Sequence, residues 1–286
     1  MQNEQMPLSL AAPINQQERI SIIDSLRGIA ILGILLMNIP GFGLAPAAIG
    51  DFFLLLQGQL NYFFWYVFGP GVFEGSMRGL FSMLFGAGMF IFVTRLEKRT
   101  TGLMPAELFL RRQLWLLLFG IFHAYVLLWY WDILYHYAIC GIILFAFRRL
   151  SPKYLLIGAA VCLVLMTVRE NRDLYKRKDV ITKGEIVATI DTTKVKLTDL
   201  QKEQLGAFTE FKDKSKPEEK KKEMEKQEKE IRGSYAGLYE ARSKQAEEGE
   251  TFGMYYWAIF DVTLFMFIGL AFFKLGILQG EAKTKV

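Results

Sequence analysis

Ile20-Ser-Ile-Ile-Asp24-Ser-Leu-Arg27-Gly-Ile-Ala-Ile-Leu-Gly-Ile-Leu-Leu-Met-Asn38-Ile-Pro-Gly-Phe42 is a run of 23 residues with one acid and one base. A helix needs about 20 mostly apolar residues to cross a bilayer, and this run supplies them. Five further stretches have the same character: Ser76–Thr94, Leu110–Trp131, Ile133–Phe147, Tyr154–Val168 and Met254–Phe273. The stretch Phe52–Phe73 is aromatic-rich but carries Gln57, Gln59, Asn61 and a Gly69-Pro70-Gly71 break, so it reads as an interfacial or re-entrant segment.

The distribution of charge fixes the class. Between Arg169 and Glu250 lie 20 basic and 19 acidic residues, which leaves 24 of the 63 charges for the other 204 positions. A soluble domain spreads its charges more evenly. The sequence therefore predicts an all-α, polytopic transmembrane bundle of about six spans with one polar helical insertion. A soluble enzyme, a disulfide-stapled secreted domain and a disordered chain all fit poorly. Net charge is +5, but the bases are matched by acids or sit at span ends, which gives no reason to expect nucleic acid as a partner. Cys140 and Cys162 lie in apolar runs at a spacing that fits no metal site. The expected order is a polar tail over 1–18, transmembrane helices over 19–168, a charged extracytoplasmic insertion over 169–252, a last transmembrane helix over 253–280 and a tail over 281–286. No cleavable signal peptide is read in the polar Met1–Gln17.

Arg95, Lys98, Arg99, Arg111 and Arg112 follow the second long span, and Arg148, Arg149 and Lys153 follow the fourth. Basic loops stay in the cytoplasm. That puts the N-terminus in the cytoplasm and the insertion outside. A full crossing by Phe52–Phe73 would move the N-terminus outside. Within the insertion, Gly184–Thr198 alternates like a small hairpin, and Lys216–Glu248 reads as a solvated helix.

A charge in hydrocarbon costs about 2.5 kcal/mol or more, so intramembrane polar residues should face protein or a wet cavity. Asp24 and Arg27 are one helical turn apart. Asn38 follows Arg27 by about 1,100° of helix and so returns to within about 20° of the same face. This stripe is either an internal ion pair that fixes packing or a substrate contact. Gly75, Gly79, Ser82 and Gly86 form a small-residue face suited to close helix packing. Arg78 sits beside them, with Glu74 one turn back; it is an interfacial ion pair or an anion-binding group at a cavity mouth. His123 lies past the middle of its span, either as a packed core residue or as a group for proton transfer. Asp132 closes the aromatic belt Trp129-Tyr130-Trp131 and either caps the following helix or joins a site. His136 lies one turn further on. His123 and Asp132 are nine residues apart and project from opposite faces of a straight helix. They touch only if the helix breaks.

The same residues carry a family likeness. The run Ile22-Ile-Asp24-Ser-Leu-Arg27-Gly28 through Asn38-Ile resembles the first span of YeiB-like proteins, bacterial inner-membrane proteins named for a domain of unknown function. Arg78-Gly-Leu-Phe-Ser82-Met-Leu-Phe-Gly86-Ala-Gly88 resembles their second motif. His123-Ala-Tyr-Val-Leu-Leu-Trp-Tyr-Trp-Asp132 through Gly141 resembles their third, with Trp131 where a Gly usually precedes the Asp. Gly233-Ser-Tyr and Gly269-Leu-Ala-Phe-Phe-Lys274-Leu-Gly276 are similar to their later region. Such proteins usually continue through more spans, so the likeness implies a shortened C-terminus.

The first-span motif more loosely resembles membrane acyltransferases of the heparan-alpha-glucosaminide N-acetyltransferase and bacterial sugar O-acyltransferase kinds. The latter tend to have His where Asn38 stands. That likeness implies acyl transfer from a cytoplasmic donor, acyl-CoA, to a small-molecule acceptor at the outer face. On this expectation His123 is the base or transient acyl carrier and Asp132 its partner or an acceptor contact. Arg27 and Arg78, with Asp24 and Asn38 beside them, contact substrate and clamp donor phosphates. A small-solute permease and a membrane scaffold are the competing classes, and no ATPase, protease or metal motif is present. The enzyme reading expects Arg27, Arg78 and His123 to line one cavity.

Overall fold

The computed structural model describes residues 20–49, 51 and 60–281. Those residues are all-helical, with no strand. The helices are α1 (Ser21–Gly43), α2 (Pro46–Ile49), α3 (Leu60–Phe68), α4 (Ser76–Arg99), α5 (Met104–Tyr125), α6 (Leu134–Phe147), α7 (Pro152–Ala188), α8 (Asp199–Lys214), α9 (Pro217–Ile231), α10 (Tyr235–Glu248) and α11 (Ile259–Lys274). Two π-helical stretches, Gly69–Phe73 and Gly249–Ala258, lead into α4 and α11. Four helical segments are long and apolar enough to cross a membrane: Ser21–Gly43, Gly71–Arg99, Pro152–Ala188 and Tyr235–Lys274. Leu134–Phe147 is apolar but shorter. The fold is that of a helical transmembrane bundle. The segments Met1–Gln17 and Phe52–Gln59, and most of the tail after Gly280, lie outside the described residues.

The chain divides into two compact units, one within Met1–Asn38, Val67–Leu163 and Tyr239–Val286, the other within Ile39–Tyr66 and Val164–Leu238. In the first, α4 and α11 pack backbone to backbone. A Cβ on Gly269 would lie 1.9 Å from the Met83 carbonyl oxygen, and one on Gly86 would lie 2.4 Å from that of Met266. In lipid such close approach replaces the hydrophobic drive that water supplies to soluble helices. The small-residue face read from the sequence divides in its roles. Gly86 and Gly79 meet α11, with Gly79 under the Phe265 ring. Ser82 is fully buried and shares a hydrogen bond with Tyr137 of α6. Gly75 packs against nothing; its φ of 77° turns the chain into α4.

The second unit corrects two expectations. Gly184–Thr198 is not a hairpin. Helix α7 continues to Ala188, and the following turn is held by Asp191, whose Oδ1 accepts from the Thr193 amide (3.1 Å) and hydroxyl (2.6 Å). These bonds, the hydroxyl's foremost, hold the Asp191 carboxyl below the usual carboxylate range. Thr198 then opens α8 with a capping box to Gln201. The alternating residues find no partner strand, and Gly184 instead lets Phe208 of α8 approach α7 closely. Lys216–Glu248 is likewise not one helix, because the chain breaks between Ile231 and Tyr235 around Gly233. Helix α9 is not merely solvated. Its Met224 packs with Ala45 and Ala48, its Gln227 Oε1 accepts from the Ala47 amide at 2.9 Å, and Lys220 pairs with Asp51 at 2.6 Å.

Gly269→Ala should cost about 1–3 kcal/mol by overpacking, read as unfolding in mixed micelles, whereas Gly28→Ala, with open space at its Cβ, should be neutral. Equal effects would contradict the α4–α11 contact. In the second unit, Asp51→Cys with Lys220→Cys should form a bismaleimide cross-link in intact protein, and Asp51→Cys with Lys202→Cys should not. The native Cys140 and Cys162 are buried and free and should stay silent.

Candidate functional site

Helix α5 ends at Tyr125, six residues short of the expected Trp131. The amides of Val126 and Leu127 both donate to the Phe122 carbonyl, and that of Trp129 donates to His123. Leu128 takes a positive φ of 58° and is buried, so packing holds a left-handed residue that the backbone alone disfavours. This reversal carries Asp132 back beside α5. His123 Nδ1 lies 3.0 Å from Asp132 Oδ1. The break that a direct contact requires is therefore present, and the opposed-face geometry of a straight helix does not apply.

Asp132 is 8% exposed and fully engaged. Its Oδ2 accepts from the amides of Leu134 (2.8 Å) and Tyr135 (3.3 Å), so it also caps α6. Its backbone carbonyl faces His136 Nδ1 at 3.1 Å, and His136 Nε2 reaches the Gly249 carbonyl at 3.3 Å. Gly120 makes the arrangement possible, since a Cβ there would lie 2.5 Å from the Tyr135 nitrogen and 3.0 Å from Asp132 Oδ2. With its carboxylate fixed by two amides, Asp132 orients the imidazole: Nδ1–H donates to Oδ1, and Nε2 has no hydrogen-bond partner among the described residues. Glu250, at the start of the second π-helical stretch, lies close enough to Asp132 and Tyr125 to interact electrostatically with both. Nearby, the Arg242 guanidinium lies 4.5 Å from the centre of the Tyr130 ring.

Arg78 is elsewhere. It forms a short ion pair with Asp261 of α11 rather than with Glu74, and its backbone carbonyl accepts from Ser82 at 2.9 Å. With Tyr137, these groups tie α4, α6 and α11 together, which makes Arg78 a packing group in this structure.

Arg27 lies in a third place, a cleft of about 750 Å³ between α1, α4 and α5. It pairs with Asp24 at 3.2 Å, reaches the Leu84 carbonyl at 3.5 Å and lies against Gly88, where a Cβ would be 2.4 Å from the guanidinium. Arg95, Arg99, Arg112 and Gln113 line the same cleft. Asn38 is half-buried on α1 and does not line it. The expectation of one cavity shared by Arg27, Arg78 and His123 is corrected here: neither Arg78 nor His123 nor Asp132 lines the cleft. The spacing on α5 still relates two of the three places. His123 follows Arg112 by eleven residues, which is about 16 Å along the helix and within about 20° of the same face.

The sequence reading missed Asp261, Arg112, Gly120 and Glu250. Asp261 had a signal, being an acid in the last apolar run, the feature that singled out Asp24. Arg112 was counted only as a basic loop residue. Gly120 and Glu250 gave no signal without knowledge of the break after Tyr125.

The chain is 36% identical over 170 residues to the uncharacterized protein YxaH of Bacillus subtilis, covering 56% of this chain and 40% of that one. It is 34% identical over 157 residues to an uncharacterized 39.9 kDa protein in the amylase 3' region of Bacillus acidopullulyticus, covering 54% and 42%. It is 31% identical over 155 residues to the uncharacterized protein YeiB of Escherichia coli, covering 48% and 33%. The chain thus spans between a third and about two fifths of the length of these relatives. They support the YeiB-like resemblance and lend none to the acyltransferase likeness. No protein-family model matches the chain. No solved structure matches it.

Asp132→Ala should remove the cap of α6 and cost about 1 kcal/mol in thermal unfolding, whereas Asp132→Asn, which keeps a carbonyl oxygen for the Leu134 amide, should stay near wild type. Equal stability of the two variants would contradict the capping role.

Proposed function

We propose that this chain is part of an inner-membrane acyltransferase that takes an acyl group from a cytoplasmic, anionic thioester donor and passes it to an acceptor at the outer face. The observation that carries the reading is the 3.0 Å contact between His123 and an Asp132 whose other oxygen is fixed by two amides. That is the orienting arrangement a general base needs. His123 Nε2 takes the proton of an acceptor hydroxyl or amine as its oxygen or nitrogen attacks the thioester carbon. The carbon–sulfur bond breaks, and the imidazolium returns the proton to the departing thiolate. Asp132 stays ionised and holds the ring.

Arg27 contacts the anionic end of the donor. The about 16 Å between Arg112 and His123 along one face of α5 suits a donor with charge at one end and the reactive carbon at the far end of a long arm. Arg78 has no part in this chemistry, because Asp261 occupies it.

Radiolabelled acetyl-CoA added outside inverted vesicles should leave covalently bound label in the lumen, and His123→Ala should abolish it by about 10²-fold or more, the loss typical of a general base. Arrival of an unmodified solute without label transfer would favour a permease. Unchanged transfer by His123→Ala would sink the assignment.

A further inference from the structure

Arg27, Arg95, Arg99 and Arg112 all line the cleft between α1, α4 and α5, and Asp24 is the carboxylate among its described lining residues. Retention of basic loops in the cytoplasm accounts for arginines at this end of the helices, but not for their turning toward one space. The neighbours Arg111 and Arg112 separate the two effects. Arg111 points outward and is paired with Glu107 at 2.6 Å. Arg112 points into the cleft, its guanidinium 5.2 Å from the centre of the Phe92 ring, and has no carboxylate partner among the described residues. It lies close enough to Arg27 for the two cations to repel. Two guanidiniums that line one cleft and repel each other are stabilised by an anion that both can fork.

The rest of the lining is apolar. Phe81, Phe85, Ile91 and Phe109 form the wall beyond the arginines. Gln113 ends the polar part; it is 1% exposed, and its Oε1 has no hydrogen-bond partner among the described residues. At about 750 Å³ the cleft is of the size that holds a small molecule.

We infer that this cleft is a binding site for a clustered-phosphate group, of the diphosphate kind, carried on an apolar or long-armed body. Arg27 and Arg112 grip the phosphates, and the aromatic wall takes the uncharged part. For the nature of that uncharged part the inference rests on the donor reading above; for the phosphates it rests on the cleft alone. Both a soluble thioester donor with a diphosphate and the two-phosphate headgroup of a cardiolipin-type phospholipid offer this chemistry.

The test uses the full chain in phosphatidylcholine nanodiscs with labelled inorganic pyrophosphate as probe. Binding should be saturable. It should weaken about 10-fold or more in Arg27→Gln and in Arg112→Gln, as expected for losing a charge-assisted fork. Arg111→Gln and His123→Gln should bind as wild type. Arg27→Lys and Arg112→Lys keep the charge without the fork and should bind with intermediate affinity, which covers the case of a glutamine variant that does not fold. Adding cardiolipin to the discs separates the sources: displacement of pyrophosphate assigns the site to a lipid headgroup, and persistence assigns it to a soluble anion. Either result upholds the site. Absence of saturable binding, or equal weakening by Arg111→Gln, overturns it. Pyrophosphate bound by Arg112 with no acyl transfer would leave the site standing and remove the reaction, and transfer indifferent to Arg112 would do the reverse.

Discussion

An ionised side chain in an apolar helix is stable only where protein replaces the water it has lost, and that requirement organises the first compact unit. Three strongly polar residues there show how it is met. Arg78 is met by Asp261, which fixes how α4 and α11 are registered. Asp132 is met by His123 and by the first amides of α6. Arg27 is met by Asp24 on its own helix and by the Leu84 carbonyl across the cleft. The close glycine contacts between α4 and α11 shorten the distance across which the Arg78 pair must reach, so packing and charge pairing support each other. Pairs of this kind specify register more than they stabilise, because the desolvation of both partners offsets much of their attraction.

The membrane class was legible because it depends on composition over 20-residue windows, a scale on which local irregularity averages out. The ends of helices were less legible. Beyond Gln113 the run to Trp131 is apolar apart from His123, and nothing in its periodicity marks the reversal after Tyr125. The reversal is set by Leu128 adopting a positive φ under tertiary packing, at a residue that does not favour it. Everything that depends on that turn was hidden with it: the His123–Asp132 contact, the need for Gly120 and the approach of Glu250. The hairpin expectation at Gly184–Thr198 failed for a related reason. Alternation signals a strand only when a partner strand exists, and Asp191 offered the backbone a local alternative.

Arg78 shows the limit of reasoning from spacing along one helix. Glu74 is one turn away in sequence, but the π-helical stretch ends at Phe73 and Gly75 turns the chain, so the two residues do not share a regular helix. Asp261, 183 residues later, faces Arg78 because α11 lies against α4. A partner on another helix is visible in one sequence only as a second unexplained charge in an apolar run. Two such residues of opposite sign should be considered as a pair before either is given to a substrate.

The three polar places are separate, yet their separation is not arbitrary. On α1 the interval from Arg27 to Asn38, and on α5 that from Arg112 to His123, is eleven residues, about three turns, and each pair therefore shares a face. On α5 the interval joins the arginine-lined cleft to the imidazole held by Asp132. A compact substrate cannot touch both ends of that stripe, whereas an elongated one can, with its anion at Arg112 and its far end at His123. A phosphate-binding cleft stands without chemistry at His123, and a base at His123 stands without the cleft; the shared face of α5 adds a way for one elongated donor to reach both.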